Sequence, residues 1–181
     1  KSKLLDSKFN DIVNSDLSLV DKIYWLTKDV KRYGTLPFAG VARAGFIGIQ
    51  ILNSFVEKNI INYDEYNKFL KSLNTISKQL SKDVQILSKK NFLKIYGHLR
   101  PGTYDILSPR YDESYEIYFE NKDNKKKFKN DFFNFSNSQK NKVNDLIIEN
   151  KLDTNFKDLI TFIKESIEGR EFVKFLFTRH L

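Results

Sequence analysis

The sequence predicts an all-α fold, a helical bundle with one long ordered loop at about residues 97–112 and little or no strand. Apolar residues recur every three to four positions through most of the 181 residues, which is the helical period. Strand signals are weak, because only residues 115–119 partly alternate. With 40% hydrophobic residues, the chain can bury a core. We therefore predict a single helical domain over residues 1–181.

The first two helices are predicted from their apolar spacing and their caps. Leu4 to Val13 carry apolar residues at helical spacing and form the first. Ser18, with Asp21 three residues later, resembles a capping box and begins the second. Gly34 is expected to end that helix in the left-handed conformation.

Four further helix starts are predicted, at Pro37, Asn62, Ser138 and Thr154. The third helix begins with proline in its first turn and runs to about Glu57. The fourth is expected to run from its asparagine cap to about Lys89 and, after a break, to Tyr96. No period of 20 to 50 residues repeats, which argues against a solenoid.

The composition excludes several classes of protein. The chain has no cysteine and only two histidines, His98 and His180, so we expect no disulfide, no cysteine nucleophile and no metal site. No run of about 18 to 20 uncharged apolar residues occurs, so we expect no membrane-spanning helix and no membrane partner. No secretory signal opens the sequence, which predicts a cytoplasmic protein.

The net charge of +8 raises the question of nucleic-acid binding. Seven lysines and two acids lie between Asn121 and Lys142, so much of the excess charge is in one segment. Only six of the 31 basic residues are arginine, the side chain that reads bases and clamps phosphates best. We therefore expect no nucleic-acid partner, and a basic nucleic-acid-binding bundle remains an alternative.

The sequence also contains no methionine, although translation starts with one. The residues from Phe172 to Leu181 are rich in apolar side chains and stop in mid-pattern. Both features favour an internal fragment of a larger multidomain enzyme.

The third helix carries an unusual charge and an unusual stripe. Gly40, Ala44 and Gly48 are spaced four apart and are predicted to share one face, either for close helix packing or for a ligand. Arg43 is the only charge between Arg32 and Glu57. We expect it to be partly desolvated and therefore to meet an anion. That anion is either the Asp105 carboxylate or a bound substrate.

A second concentration of unusual residues lies in residues 96–111, YGHLRPGTYDILSPRY. Two of the three prolines fall there, and the Pro-Gly pair is typical of a tight turn. The side chains that such a turn would present to a polar ligand are those of His98, Arg100, Thr103, Tyr104, Asp105 and Arg110. Loops on a rigid scaffold commonly carry function. The alternative is an ordinary loop whose Arg–Asp pairs hold helices together.

The third unusual segment is a cluster of small polar residues, Ser72 to Ser77, inside the predicted fourth helix. Asn74 is a candidate ligand-binding residue there, and a solvated helix face is the alternative. No phosphate-binding loop, dinucleotide fingerprint, nucleophile elbow or zinc-protease motif occurs. His98 and Arg110 are the possible catalytic residues, with His98 either a general base or an orienting hydrogen-bonding group.

These segments carry a family resemblance. Residues 31–46 (KRYGTLPFAGVARAGF), residues 72–75 (SLNT) and the loop at 96–111 resemble the central domain of phosphoenolpyruvate-synthase-like phosphotransferases. In that family, the central domain lies between an ATP-grasp domain and a swivelling phosphohistidine domain. Within the family, the resemblance is to the L-glutamine kinases of capsular phosphoramidate biosynthesis. It spans most of residues 15–112.

The resemblance implies a division of labour between domains. ATP would phosphorylate a carrier histidine on another domain, and the phosphoryl group would pass to the amide nitrogen of L-glutamine held here. ATP and Mg²⁺ would bind the ATP-grasp domain, so no cofactor is expected in this segment, which would bind substrate but be inactive alone. The flanking ATP-grasp and phosphohistidine domains are the expected partners.

The glutamine zwitterion matches the candidate residues. Arg43 or Arg100 suits its carboxylate and Asp105 its ammonium, while Asn74, Thr103 or Tyr104 suits its amide. Arg110 or His98 would neutralise charge at the phosphoryl group. The alternatives are a different acceptor, such as a keto acid or an antibiotic, and a purely structural spacer domain.

Overall fold

The all-α prediction is confirmed. In the computed structural model, the residues that the structure describes are 2–101, 107–119 and 132–180, and these contain helices, turns and loops but no strand. A 3₁₀ turn at Ser2–Leu4 precedes the first helix. The α-helices are α1 (Leu5–Val13), α2 (Leu19–Asp29), α3 (Leu36–Glu57), α4 (Tyr63–Ser72), α5 (Ile76–Ile86), α6 (Lys89–Tyr96), α7 (Tyr115–Phe119), α8 (Asn137–Glu149) and α9 (Phe156–Thr178).

The chain divides into two compact units. The first comprises Lys1–Phe38, Ile76–Phe128 and Glu171–Leu181, and the second comprises Ala39–Thr75 and Lys129–Arg170. We call them the loop unit and the core unit. The loop unit contains the described part of the loop at residues 97–112.

The core unit is built around one apolar cluster. Its helices contribute side chains at three-to-four spacing, such as Leu52 with Phe55 and Ile160 with Ile163, all of them buried. Phe135, which precedes α8, meets the Phe55 and Phe69 rings edge to face at 6.3 and 6.0 Å. Because buried aromatic and aliphatic side chains dominate core energetics, this cluster is the principal source of the core unit's stability.

The loop unit is held by aromatic rings as well as aliphatic side chains. Phe92 and Tyr96, one turn apart on α6, are almost completely buried. The Tyr96 hydroxyl donates a 2.6 Å hydrogen bond to an Asp83 carboxylate oxygen. Burial, reinforced by that hydrogen bond, raises the pKa of Tyr96 far above its ordinary value. The phenol therefore stays protonated and keeps α5 and α6 together.

Two predicted caps are confirmed by hydrogen bonds. The Ser18 hydroxyl accepts from the Asp21 amide at 3.2 Å, and α2 begins at the next residue. Asn62 and Glu65 form a complete capping box at the start of α4. These local signals are recoverable from sequence because donor and acceptor lie three residues apart.

The predicted end of the second helix is wrong. The chain passes from α2 into a π-helical segment, Val30–Thr35, and directly on into α3. Gly34 is buried within this segment and does not adopt the left-handed conformation. An added Cβ there would lie 3.0 Å from the Phe177 Cβ atom, so the residue is small to admit a neighbouring side chain rather than to reverse the backbone.

The prediction of one long fourth helix is also wrong. The chain leaves the helical path after Ser72 and again after Ile86, which produces three helices, α4, α5 and α6. Helix starts further along shift slightly from the predicted caps: Ser136 caps α8, and Asn155 accepts from the Asp158 amide at the start of α9. The polar cluster at residues 72–77 thus marks an interruption, in keeping with the weak helix propensity of Ser and Asn.

The helical stretch Leu19–Glu57 bears on the expectation that the chain has no membrane-spanning helix. Within the described residues, this 39-residue stretch is long and apolar enough to cross a membrane by length and composition, and 17% of its most apolar window is buried. Leu19, Leu36 and Phe46 are 75%, 66% and 61% exposed. The expectation of no membrane-spanning helix rests on the absence of a long uncharged run, and Arg43 does divide the apolar part of this stretch. That expectation therefore stays a prediction. Length and composition alone do not place the stretch in a membrane.

Candidate functional site

The described part of the predicted loop is closed at its neck by backbone hydrogen bonds. The amide of Tyr111 donates to the carbonyl of Leu99 at 2.8 Å, and the amide of Asp112 donates to the carbonyl of Gly97 at 3.1 Å. The neck therefore brings the residues that follow α6 beside those that precede α7. An added Cβ at Gly97 would collide with the Leu93 carbonyl oxygen in the preceding turn of α6 and would lie 3.1 Å from the Asp112 Cβ atom across the neck, so this position requires glycine.

A cluster of aromatic rings packs against the neck. The Phe92 ring lies within 6.5 Å of four others, those of Tyr96, Tyr111, Tyr115 and Phe119. The Tyr118 hydroxyl donates a 3.0 Å hydrogen bond to the Pro109 carbonyl. Because offset and edge-to-face ring pairs add to the stability from burial, the neck is a rigid base for the side chains it carries.

His98 is a half-buried member of this neck. Its Nε2 atom lies 3.3 Å from the backbone oxygen of Phe175 on α9, and its ring packs 5.1 Å from the Phe175 ring. Burial, together with the positive charges of Arg179 and Arg110, lowers the pKa of His98 to about 4. The Phe175 carbonyl and Asp112 oppose that shift. His98 is therefore neutral at physiological pH.

Arg110 and Arg100 lie on the same neck. The Arg110 guanidinium pairs with both carboxylate oxygens of Asp112, with Nε 3.0 Å from Oδ1, and this hydrogen bonding raises the pKa of Arg110. The Arg110 amide also donates to a Glu113 carboxylate oxygen at 2.7 Å. Arg100 is partly buried. The structure thus brings together His98 and Arg110, two of the residues predicted to bind substrate, and Arg100 follows the Leu99 carbonyl that accepts from Tyr111.

The remaining candidate residues are distributed differently. Thr103, Tyr104 and Asp105 lie outside the described residues. Arg43 and Asn74 belong to the core unit rather than to the loop unit.

The prediction that Arg43 is partly desolvated is wrong. Its side chain is exposed, because it lies on the face of α3 that also carries the exposed Leu36 and Phe46. An exposed guanidinium is hydrated and requires no compensating anion. The argument that Arg43 must meet a substrate carboxylate therefore loses its physical basis, although the side chain is accessible to a ligand.

The glycines of α3 divide between two environments. An added Cβ at Gly48 would lie 2.5 Å from the Ser166 hydroxyl oxygen of α9, and one at Gly45 would lie 3.2 Å from the Ser166 carbonyl oxygen. At Gly40, the same atom would meet nothing within 4 Å. Close helix packing accounts for Gly45 and Gly48, and the predicted stripe of Gly40, Ala44 and Gly48 is not one continuous contact face.

Asn74 lies in the interruption between α4 and α5. Its backbone amide donates a 2.7 Å hydrogen bond to a Glu168 carboxylate oxygen, and the residue is exposed. The chain at this point is therefore tied to α9 through the main chain, which leaves the Asn74 side chain available to solvent.

Arg179 is a site residue that sequence reasoning missed. It lies one turn after Phe175, and its guanidinium carbon is 5.6 Å from the centre of the Phe175 ring. The ring contact with Phe175 is shared with His98. No motif surrounds Arg179, and its separation from the loop in sequence hides the relation, so only the folded chain identifies it.

The described residues also form a small cleft, which is less polar than the neck. This cleft, in the loop unit, is lined mainly by apolar side chains, among them Leu5 and Phe9, and also by His180. The His180 Nε2 atom is held 2.8 Å from an Asp6 carboxylate oxygen. Across residues 2–101, 107–119 and 132–180, no group of three or more His, Cys, Asp or Glu side chains is arranged to hold a metal ion.

No family model matches this chain, and neither a curated protein nor a solved structure matches it.

Proposed function

We propose that this chain is the acceptor-binding domain of a multidomain ATP-dependent phosphotransferase. In this proposal, ATP phosphorylates a carrier histidine on another domain, and the phosphoryl group passes to the amide nitrogen of L-glutamine held by this chain. The proposal rests first on the resemblance carried by residues 31–46, 72–75 and 96–111. The observation that supports it most directly is the juxtaposition of His98 and Arg110 on a rigid neck.

The chemistry of an amide acceptor explains why such a neck is useful. An amide nitrogen is a poor nucleophile, so transfer depends on positioning and on neutralising charge at the phosphoryl group. Guanidinium groups provide that charge, and a rigid backbone provides the positioning. Arg100 and Arg110 supply the charge in this proposal, and the neck backbone orients them.

ATP and Mg²⁺ remain assigned to an ATP-grasp domain of the same protein. The described residues show no cluster of metal-binding side chains. In this proposal, the chain's own contribution is to bind and orient the acceptor.

Calorimetry on the 181-residue chain tests the proposal. We expect saturable binding of L-glutamine and weaker binding of L-glutamate and pyruvate. Arg100→Ala and Asp105→Ala should each weaken glutamine binding by about tenfold, the loss of one charge-assisted hydrogen bond. Lys68→Ala, a change at an exposed lysine of the core unit, is the matched control and should leave the affinity unchanged.

Three other outcomes would change the assignment. Tighter binding of a keto acid or an antibiotic than of glutamine would support the same architecture with a different acceptor. Full glutamine affinity in both Arg100→Ala and Asp105→Ala would refute the site. A structural spacer is favoured by one observation, the pairing of Arg110 with both oxygens of Asp112, and absence of binding to every acceptor would support it.

A further inference from the structure

The Arg179 guanidinium has unused binding capacity beside the loop neck. Among the described contacts, it donates one long hydrogen bond, 3.5 Å to the Ile95 carbonyl, and lies over the Phe175 ring. The ion pairs of the described residues involve other side chains. Its positive charge is therefore balanced by no carboxylate of the described chain, and most of its five N–H donors remain available.

His98, close to Arg179, offers a hydrogen-bond acceptor, its Nδ1 atom. A backbone carbonyl can only accept a hydrogen bond, so the contact between His98 Nε2 and the Phe175 oxygen places the imidazole proton on Nε2. In the neutral ring, Nδ1 then carries a lone pair and accepts. No buried side-chain nitrogen in the described residues lacks a partner. Nδ1, which has none, therefore reaches solvent.

Arg110 is the second arginine of this group. Asp112 occupies its Nε and one Nη atom, which leaves N–H donors on the guanidinium free. The neck hydrogen bonds to Gly97 and Leu99 bring Arg110 close to His98, and the shared Phe175 ring brings Arg179 close to it. The charges of both arginines, opposed by that of Asp112, act on His98. The cluster therefore combines donors for oxyanions with one acceptor for a hydroxyl, and we call it the His98 cluster.

We propose that the His98 cluster is a binding subsite for a singly protonated phosphate group. The oxyanions accept from Arg110 and Arg179, and the remaining P–OH donates to His98 Nδ1. A fully deprotonated anion satisfies the arginines but places a lone pair against Nδ1, so the cluster selects for a protonated oxygen. The inference rests on the proposed function for its biological role, since a phosphotransferase must hold a phosphoryl group close to its acceptor.

Inorganic phosphate and sulfate distinguish this site from general attraction of anions. At neutral pH, inorganic phosphate keeps at least one P–OH, whereas sulfate has no proton to donate. The chain contains two histidines, so ¹⁵N-histidine spectra resolve His98 and use His180 as an internal reference. At constant ionic strength, we expect saturable shifts of His98 Nδ1 with phosphate, several-fold weaker binding of sulfate, and no saturable response of His180.

Matched arginine variants test the geometry. Arg179→Gln should weaken phosphate binding by about tenfold, as expected for a charge-assisted hydrogen bond. Arg32 is the control, because it is also an exposed arginine over an aromatic ring, that of Tyr33. It is not among the charges that act on His98, so Arg32→Gln should leave phosphate binding unchanged.

The results also separate this inference from the proposed function. Equal affinity for phosphate and sulfate, or equal losses in Arg179→Gln and Arg32→Gln, would overturn the phosphate subsite. Glutamine binding without phosphate binding would leave the acceptor domain standing and reject the subsite. Phosphate selectivity without binding of any acceptor would reject the acceptor domain and retain the subsite.

Discussion

The contact between α3 and α9 makes a sharp prediction for Gly48→Ala. The new Cβ would lie 2.5 Å from the Ser166 hydroxyl oxygen and 3.4 Å from Ile163 backbone atoms. Only the first contact is too short, so Ser166 must move. Ser166 is 7% exposed, and its hydroxyl donates a 3.1 Å hydrogen bond to the Ile163 carbonyl. Moving it therefore strains a buried, hydrogen-bonded group.

The magnitude follows from two opposing effects. Overpacking a close helix contact costs about 2 kcal/mol, while replacing glycine by alanine inside a helix gains about 1 kcal/mol. Gly48→Ala should therefore lower the free energy of unfolding by about 1 kcal/mol. Gly40→Ala, in the same helix with nothing within 4 Å, should raise it by up to about 1 kcal/mol.

Urea denaturation followed by far-ultraviolet circular dichroism measures both changes. The single tryptophan, Trp25, lies in the loop unit, so its fluorescence reports separately on that unit and should be little affected. Ser166→Ala in the Gly48→Ala background removes the colliding oxygen and should restore at least about 1 kcal/mol. The reasoning is refuted if Gly48→Ala stabilises the protein as much as Gly40→Ala does, or if Ser166→Ala restores nothing.

Three further predictions concern the site. The pKa of His98 falls from 6.5 to about 4 on folding, so between these pH values the unfolded chain binds a proton at this histidine and the folded chain does not. The free energy of unfolding should therefore fall by about 1 to 2 kcal/mol between pH 6.5 and pH 4. A pH series of urea denaturations on wild type and His98→Gln checks this. Gly97→Ala should lower stability by about 2 kcal/mol in thermal denaturation, since the Leu93 carbonyl oxygen cannot move away from the new methyl group. Arg43→Gln should change stability by less than about 0.5 kcal/mol, as expected for an exposed side chain; a loss above about 1 kcal/mol would show that the arginine is desolvated.

The features that the sequence predicts well are those decided by neighbours a few residues apart. The all-α class follows from apolar spacing, and the caps at Ser18 and Asn62 follow from side chains that reach amides three residues on. The end of α3 at Glu57 also agrees with the structure. The predicted start near Pro37 coincides only with the change from π-helical to α-helical hydrogen bonding within one continuous helical stretch. In each case of agreement, the residues that decide the feature are separated by no more than one or two helical turns of sequence.

The features that it predicts poorly depend on which face of a helix meets another part of the chain. Arg43 stands in an apolar run, and an apolar run suggests burial, yet the exposed face of α3 includes it. Gly34 suggests a helix end, yet it admits Phe177. Periodicity gives the spacing of residues on a helix but does not identify the partner of each face, so burial read from composition alone was wrong at Arg43.

The candidate site illustrates the same limit, because one stretch at the end of α9 supplies the partner of His98 and leads to Arg179. Within the loop unit, the contacts of this stretch are Glu171 with Ser77, Phe175 with His98, Phe177 with Gly34, and His180 with Asp6. The Glu171 and Phe175 contacts span 94 and 77 residues of sequence. Such long-range contacts form only when the unit folds, since closing a long loop costs entropy that local interactions do not offset. The neutral state of His98 and the position of Arg179 are therefore properties of the folded unit, and no motif within residues 96–111 contains them.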